Sequence, residues 1–245
     1  MATSGIIRSE HWKYPRQTLI SIVPENLKAR VKQSYDAIAD DYAAQFTKED
    51  DSIRLGYLDR LVKLLLEDGK DNANVLELGC GAGIPATKAL LVNEQLSVRI
   101  TGNDISTSQL ALAKTNLASY EDRLTLVEDD MLSLSFSDET FDAVTGFYSI
   151  VHLPREEQTQ LIDKIRKWLK PDGFLLANFS AEELPAEQTD KWLDHEKGWM
   201  FWSGWGEEGS VKMVEEAGFD VMDRKTHQDD GDAKYVWVLA RNSGV

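Results

Sequence analysis

The chain has 245 residues, 42% of them hydrophobic, with one cysteine and a formal net charge of −15. That length holds a sizeable core and sits near the upper end for one α/β domain, so one domain with appended segments is expected. So acidic a protein repels phosphate backbones and anionic bilayers, which argues against nucleic acid and membrane surfaces as partners. Cys80 alone allows neither an internal disulfide nor a cysteine-rich zinc site. No run approaches the roughly 18 apolar residues of a membrane span, and the polar stretch Met1 to Lys13 has no apolar core of a secretory signal. The expected setting is the cytoplasm.

In chain order, residues 1–25 read as a loosely structured arm and 26–245 as the main domain, with residues 26–70 as N-terminal cap helices. Val23-Pro24-Glu25-Asn26 reads as a helix start. Val31, Tyr35, Ile38 and Tyr42 then recur at helical spacing to about Phe46. A second amphipathic helix runs from about Ile53 to Leu66.

From residue 75 short apolar runs alternate with helical stretches. Strands are expected at Val75–Leu78, Val98–Gly102, Leu124–Val127, Phe141–Phe147 and Phe174–Phe179. Helices are expected at Ala86–Val92, Ser106–Tyr120 and Arg155–Leu169. Such alternation argues for parallel strands joined by right-handed crossovers. After a helix at Glu207–Ala217, the strands Phe219–Arg224 and Tyr235–Ala240 are joined by only a polar loop, His227–Asp232. That loop is too short for a parallel crossover, so this pair should be antiparallel.

The chemistry begins at Glu77-Leu-Gly79-Cys-Gly81-Ala-Gly83, between a buried strand and a helix. Glycines there let the backbone turn sharply and approach a ligand. A dinucleotide fingerprint would need a third glycine at position 84, which is Ile84. Glu77, two residues before the first glycine, would repel a pyrophosphate but welcome an ammonium group. Asp104 ends the second strand, where a ribose diol needs an acceptor. Glu128-Asp129-Asp130-Met131 ends the third, where a carboxylate can accept from an amino group of adenine.

Taken together, Glu77-x-Gly79-x-Gly81-x-Gly83, Asp104, Asp130-Met131, Phe141-Asp142-Ala143-Val144 and Leu169-Lys-Pro171-Asp-Gly173 resemble the class I S-adenosylmethionine-dependent methyltransferases. Tyr35-Asp-Ala-Ile-Ala-Asp-Asp-Tyr42 resembles the N-terminal helix of their small-molecule branch, and the resemblance covers about residues 31–241. It implies a doubly wound, mostly parallel seven-stranded sheet of Rossmann-like type, with N-terminal helices and a C-terminal antiparallel hairpin. It implies S-adenosylmethionine as cofactor: Glu77 near the methionine ammonium, Gly79 and Gly81 beside the amino-acid part, and Tyr35 capping the carboxylate. Asp104 would bind the ribose, Ile105 would flank adenine, Asp130 and Met131 would meet its amino edge, and Phe147 would offer a backbone carbonyl.

The acceptor should be a small molecule beyond the carboxyl ends of the strands. The insertion over residues 180–206 holds Trp192, Trp199, Trp202 and Trp205, with His195. It reads as a lid that keeps water from the sulfonium, or as a flap that buries area. Tyr42, His195, Trp199 and Trp202 are expected at the acceptor, whose cationic forms could lie on tryptophan faces. His152 is the leading general base and Tyr148 a second catalytic candidate. No metal is expected, and the chain should act as a monomer or homodimer. The alternative is a methyltransferase-like protein that binds the cofactor without methyl transfer, as a rearrangement catalyst or a regulatory module.

Overall fold

The computed structural model describes residues 23–228 and 233–244. Residues 1–22 of the arm expected over residues 1–25, and part of the last polar loop, therefore lie outside the described residues. No helix among the described residues is long and apolar enough to cross a membrane.

Two helices open the chain, α1 (Leu27–Phe46) and α2 (Ser52–Glu67). The α/β alternation follows: β1 (Asn72–Leu78), α3 (Ala86–Leu91), β2 (Ser97–Asp104), α4 (Thr107–Asn116), β3 (Leu124–Glu128) and β4 (Phe141–Gly146). Next come α5 (Arg155–Trp168), β5 (Leu169–Ser180), the hairpin β6 (Glu183–Asp190) and β7 (Trp199–Trp205), α6 (Gly206–Glu216), β8 (Phe219–Gln228) and β9 (Lys234–Asn242). Several strands run past their apolar runs, because ladder hydrogen bonds are made by backbone and continue through polar edge residues.

The main sheet has seven strands in the order β3-β2-β1-β4-β5-β9-β8. β1 to β5 pair in parallel, while β9 lies antiparallel between β5 and β8. The order reverses between β1 and β4, which opens a crevice at their carboxyl ends. Both faces are covered, as a parallel sheet requires. Leu161, Ile162 and Ile165 of α5 and Val211 and Val214 of α6 pack on one face against Leu76, Val144 and Leu175. Leu58, Leu61 and Leu65 of α2 and Leu90 of α3 pack on the other against Val75, Ala143, Phe174 and Trp237.

The aromatic-rich insertion is a two-stranded sheet of its own. Its second strand is built into the protein: Met200, Phe201 and Ser203 are fully buried. Ser203 Oγ donates to Leu153 O at 2.6 Å, Arg155 Nε to Gly204 O at 2.8 Å, and Trp205 Nε1 to Arg155 O at 3.1 Å. Trp199 and Phe201 pack on Leu27 and Val31 of α1. Trp199 N donates to Ser34 Oγ at 2.9 Å, and the Arg30 guanidinium lies 3.8 Å from the Trp199 ring. β7 is thus the seat of α1, and the part that projects is the turn between the strands.

Because Trp199 is the largest side chain in that seat, Trp199→Ala should lower stability by about 3–5 kcal/mol. Denaturant unfolding checks the loss, and hydrogen exchange should show it concentrated in α1 and the hairpin.

Candidate active site

The site sits at the crevice between β1 and β4. Its floor is the loop after β1, and its three glycines differ in what holds them. A Cβ on Gly79 would sit 2.3 Å from Ser149 Cβ, and one on Gly83 would sit 2.5 Å from Leu117 Cδ1. Packing within the protein demands those two. A Cβ on Gly81 would meet only Gln109 Oε1, at 3.7 Å, so Gly81 faces open space. Its φ of +54° is left-handed, which glycine adopts without strain.

Asp104, at the end of β2, fixes this loop. Its Oδ2 accepts from Gly81 N at 2.9 Å and its Oδ1 from Ser106 N at 2.8 Å. Each oxygen keeps a lone pair for a diol. Burial is the largest influence on the carboxyl and lifts it to about 6, against the pull of the two N–H bonds. Glu77 is buried and accepts from Thr87 Oγ1 at 2.6 Å, and burial raises it to about 7. A cationic group beside it would favour the ionised form. Asn103 orders the end of β3 by donating from Nδ2 to Val127 O and Asp129 O at 3.2 and 2.9 Å. Asp130 Oδ1 accepts from Leu132 N at 3.2 Å and pairs with Lys28 at 3.4 Å. Met131 is half-buried against the α5 core.

α1 covers the carboxyl ends of β2 and β3. Lys32 Nζ donates to Ile105 O at 3.0 Å and to Glu128 Oε1 at 2.8 Å. Asp36 Oδ1 accepts from Ser106 Oγ at 2.7 Å and Ser108 N at 3.0 Å. The helix therefore spans the ends of β2 and β3, and Ile105 packs with Tyr35 against Trp199 and Phe201.

Tyr35 and His152 meet on the other side. His152 Nδ1 lies 2.7 Å from Phe201 O, and a carbonyl only accepts, so Nδ1 carries the proton. Nε2 therefore has its lone pair free to accept from the Tyr35 hydroxyl at 2.9 Å. Burial pushes the His152 pKa down to about 4 and the Tyr35 phenol well above its ordinary value. Around this pair Tyr42, Phe46, Trp192 and Trp202 gather. Tyr35 and Tyr42 are edge-on at 5.4 Å, Trp192 is 5.8 Å from Tyr42, and Trp202 is 6.1 Å from His152. Of the hairpin residues expected at the acceptor, Trp202 joins this cluster and Trp199 packs in the seat of α1. His195 lies in the hairpin turn, where Nδ1 accepts from Lys197 N at 3.1 Å.

Phe147 and Tyr148 follow β4. Tyr148 has φ +56°, strained for a side chain of its size, and its N–H donates to Asn178 Oδ1 at 2.7 Å. Gln109, facing Gly81 from α4, is buried with both amide atoms unpartnered. The sequence reading missed Gln109. The signal for it is a polar side chain three residues after the Ser106 N-cap, where the helix turns inward.

Open space at Gly81, an unpartnered amide beside it and a carboxylate with lone pairs to spare fit a nucleoside cofactor with hydroxyls and a cationic end. Residues 75–173 match the model of a methyltransferase domain. Phosphoethanolamine N-methyltransferase of Plasmodium falciparum is 27% identical over 157 residues, covering 64% of this chain and 56% of that protein. Erythromycin 3''-O-methyltransferase of Saccharopolyspora erythraea is 30% identical over 160 residues, covering 60% and 51%. The chain thus spans about half the length of such curated relatives. In structure it resembles 1,6-didemethyltoxoflavin-N1-methyltransferase of Burkholderia thailandensis, with TM-score 0.69, 17% identity and 98% of each chain covered. It also resembles the cyclase SpnF, with TM-score 0.66, 19% identity, and 88% of this chain and 96% of that one covered. Residues 75–173 thus match a methyltransferase domain, in a chain whose fold resembles that of solved methyltransferases.

Proposed function

We propose that this protein binds S-adenosylmethionine and transfers its methyl group to a small-molecule acceptor. The observation that carries the reading is the Asp104 carboxylate bonded to Gly81 N, with Gly81 facing open space. In this reading Asp104 accepts from the ribose hydroxyls, Glu77 faces the methionine ammonium, and the backbone of Gly79 and Gly81 lies along the amino-acid part. Ile105, Asp130 and Met131 border the adenine, and Gln109 supplies a further polar contact beside the loop. Phe147 presents its backbone carbonyl to the ligand. Tyr35 could cap the methionine carboxylate only by giving up its bond to His152, so in this reading its hydroxyl serves His152 instead.

When bound, S-adenosylmethionine would supply an electrophilic methyl group on a sulfonium. The protein's part is to position the acceptor, exclude water and hold a proton. Tyr42, Trp192 and Trp202 form apolar walls that keep water from the acceptor. His152 Nε2 takes the acceptor's proton through the Tyr35 hydroxyl: the acceptor donates to Tyr35 Oη as Tyr35 donates to Nε2. The Phe201 carbonyl holds the ring in the tautomer this needs. Tyr148 borders the acceptor from the end of β4.

Calorimetry with S-adenosylmethionine, and with NAD as control, tests the cofactor assignment. Release of S-adenosylhomocysteine with a panel of hydroxyl, amine, thiol and carbon acceptors then tests transfer. Cofactor binding with no release from any acceptor would favour the second reading, a protein of this fold that binds the cofactor without methylating.

Asp104→Ala should weaken S-adenosylmethionine binding by about 10- to 150-fold, or roughly 1.5–3 kcal/mol, the value of a charge-assisted contact. Both acids must be ionised to accept, so wild-type affinity should rise with pH through about 6 for Asp104 and about 7 for Glu77. Glu77→Gln should remove the upper part of that rise. An affinity flat from pH 5 to 8 in the wild type would take both carboxylates out of the site.

His152→Ala should lower kcat by about 100-fold or more while leaving cofactor affinity in place, as loss of a general base does. Stopped assays at saturating cofactor, paired with calorimetry, separate the two quantities. A fall in affinity as large as the fall in kcat would make His152 a packing residue.

A further inference from the structure

The carboxyl end of the sheet holds a second polar site that the cofactor assignment does not use. Asn178 of β5 and Trp237 of β9 are directly opposite in the antiparallel ladder, so their side chains share a face. Both residues are fully buried. Asn178 Oδ1 accepts from Tyr148 N at 2.7 Å, which orients the amide and leaves Nδ2 as a donor. Asn178 Nδ2 has no partner, and neither has Trp237 Nε1. Buried polar groups are rarely left unpaired, and two such donors on cross-strand partners call for an explanation.

A third donor stands nearby. The Arg54 guanidinium of α2 lies 4.9 Å from the Tyr148 ring and 5.7 Å from the Phe147 ring. Its Nε is 3.1 Å from Asp51 Oδ2, but the alignment is too poor for a hydrogen bond. The Tyr148 ring stands edge-on to Trp237 at 5.8 Å and to Tyr235 at 4.9 Å. It is half-buried and belongs to a residue whose backbone is held at positive φ. Strained backbone of this kind gathers at ligand clamps. The two orphan atoms and the Arg54 guanidinium are all donors, which suits an anion better than a cation.

We propose that Arg54, Asn178 and Trp237 form a subsite for an oxyanion on the acceptor, a carboxylate or a phosphate, with its flat apolar body held among the rings of Phe147, Tyr148 and Tyr235. The Tyr148 ring turns aside to admit the anion, which then accepts from Asn178 Nδ2, Trp237 Nε1 and the Arg54 guanidinium. The inference rests on the methyltransferase reading only in calling this ligand the acceptor. The rival occupant is a buried water accepting from both orphan donors.

Four probes of similar size decide the matter: benzoate and phenyl phosphate as the two anions, benzamide as the neutral control and benzylamine as the cation. Each is titrated into the full chain, with and without saturating S-adenosylhomocysteine, and followed by calorimetry and tryptophan fluorescence. At least one anion should bind about tenfold or more tighter than benzamide and benzylamine, as expected of a charge-assisted site. The stronger of the two anions identifies carboxylate or phosphate. Arg54→Gln should abolish the preference and Arg54→Lys should restore part of it. Equal binding of all four probes, no binding of either anion, or an undiminished preference in Arg54→Gln would overturn the subsite and leave water on the orphan donors. Failure of S-adenosylhomocysteine to bind would instead overturn the methyltransferase reading, while the anion preference of the free chain still decides this one.

Discussion

The bond from Gly81 N to Asp104 Oδ2 holds the rest of the site together. It joins the loop after β1 to the end of β2, at the point where the strand order reverses. A carboxylate is suited to the task because it accepts several bonds at once. Asp104 uses one oxygen on the glycine loop and one on Ser106 N, which in turn sets the start of α4. Burial makes the charge costly, and the two N–H donors offset part of that cost. The outcome is a group still able to bind a further donor, in a loop that the bonds from Cys80 N to Asn103 O and from Gly83 N to Cys80 O also help to hold.

Around that bond the first helix acts as a clamp. Lys32 and Asp36 are one turn apart on α1 and reach the ends of β2 and β3 by separate contacts. Asp36 lies below the ordinary carboxylate range because Ser108 N, Ser106 Oγ and Lys32 outweigh its burial. The far side of α1 rests on β7 through Leu27, Val31, Trp199 and Phe201. The same β7 supplies the carbonyl that sets the His152 tautomer. The glycine loop, the hairpin and His152 are therefore linked through one helix, on which β7 is packed.

Much of the architecture was legible from periodicity. The alternation of apolar strands and amphipathic helices, the glycine cluster after β1 and the short loop before β9 point to a mostly parallel sheet closed by an antiparallel strand. The positions of Glu77, Gly81 and Asp104 follow from strand ends, because a strand's last residue and the loop after it are local features. Strand ends such as Asn72 and Asn242 were less legible, since backbone pairing and not side-chain polarity decides where a ladder stops.

The sequence by itself determined the order of elements, the glycine loop with its flanking acids, and the presence of a cluster of tryptophans. Only the tertiary structure decided what those tryptophans do: Trp199 supports α1, while Trp202 faces His152. It also decided that Tyr35 pairs with His152 across 117 residues, and that Asn178 and Trp237 stand opposite each other with their donors unmet. The physical reason is range. Helix periodicity, turns and strand ends are written in neighbouring residues, whereas a hydrogen bond between distant segments depends on the packing of every layer between them, which no local pattern encodes.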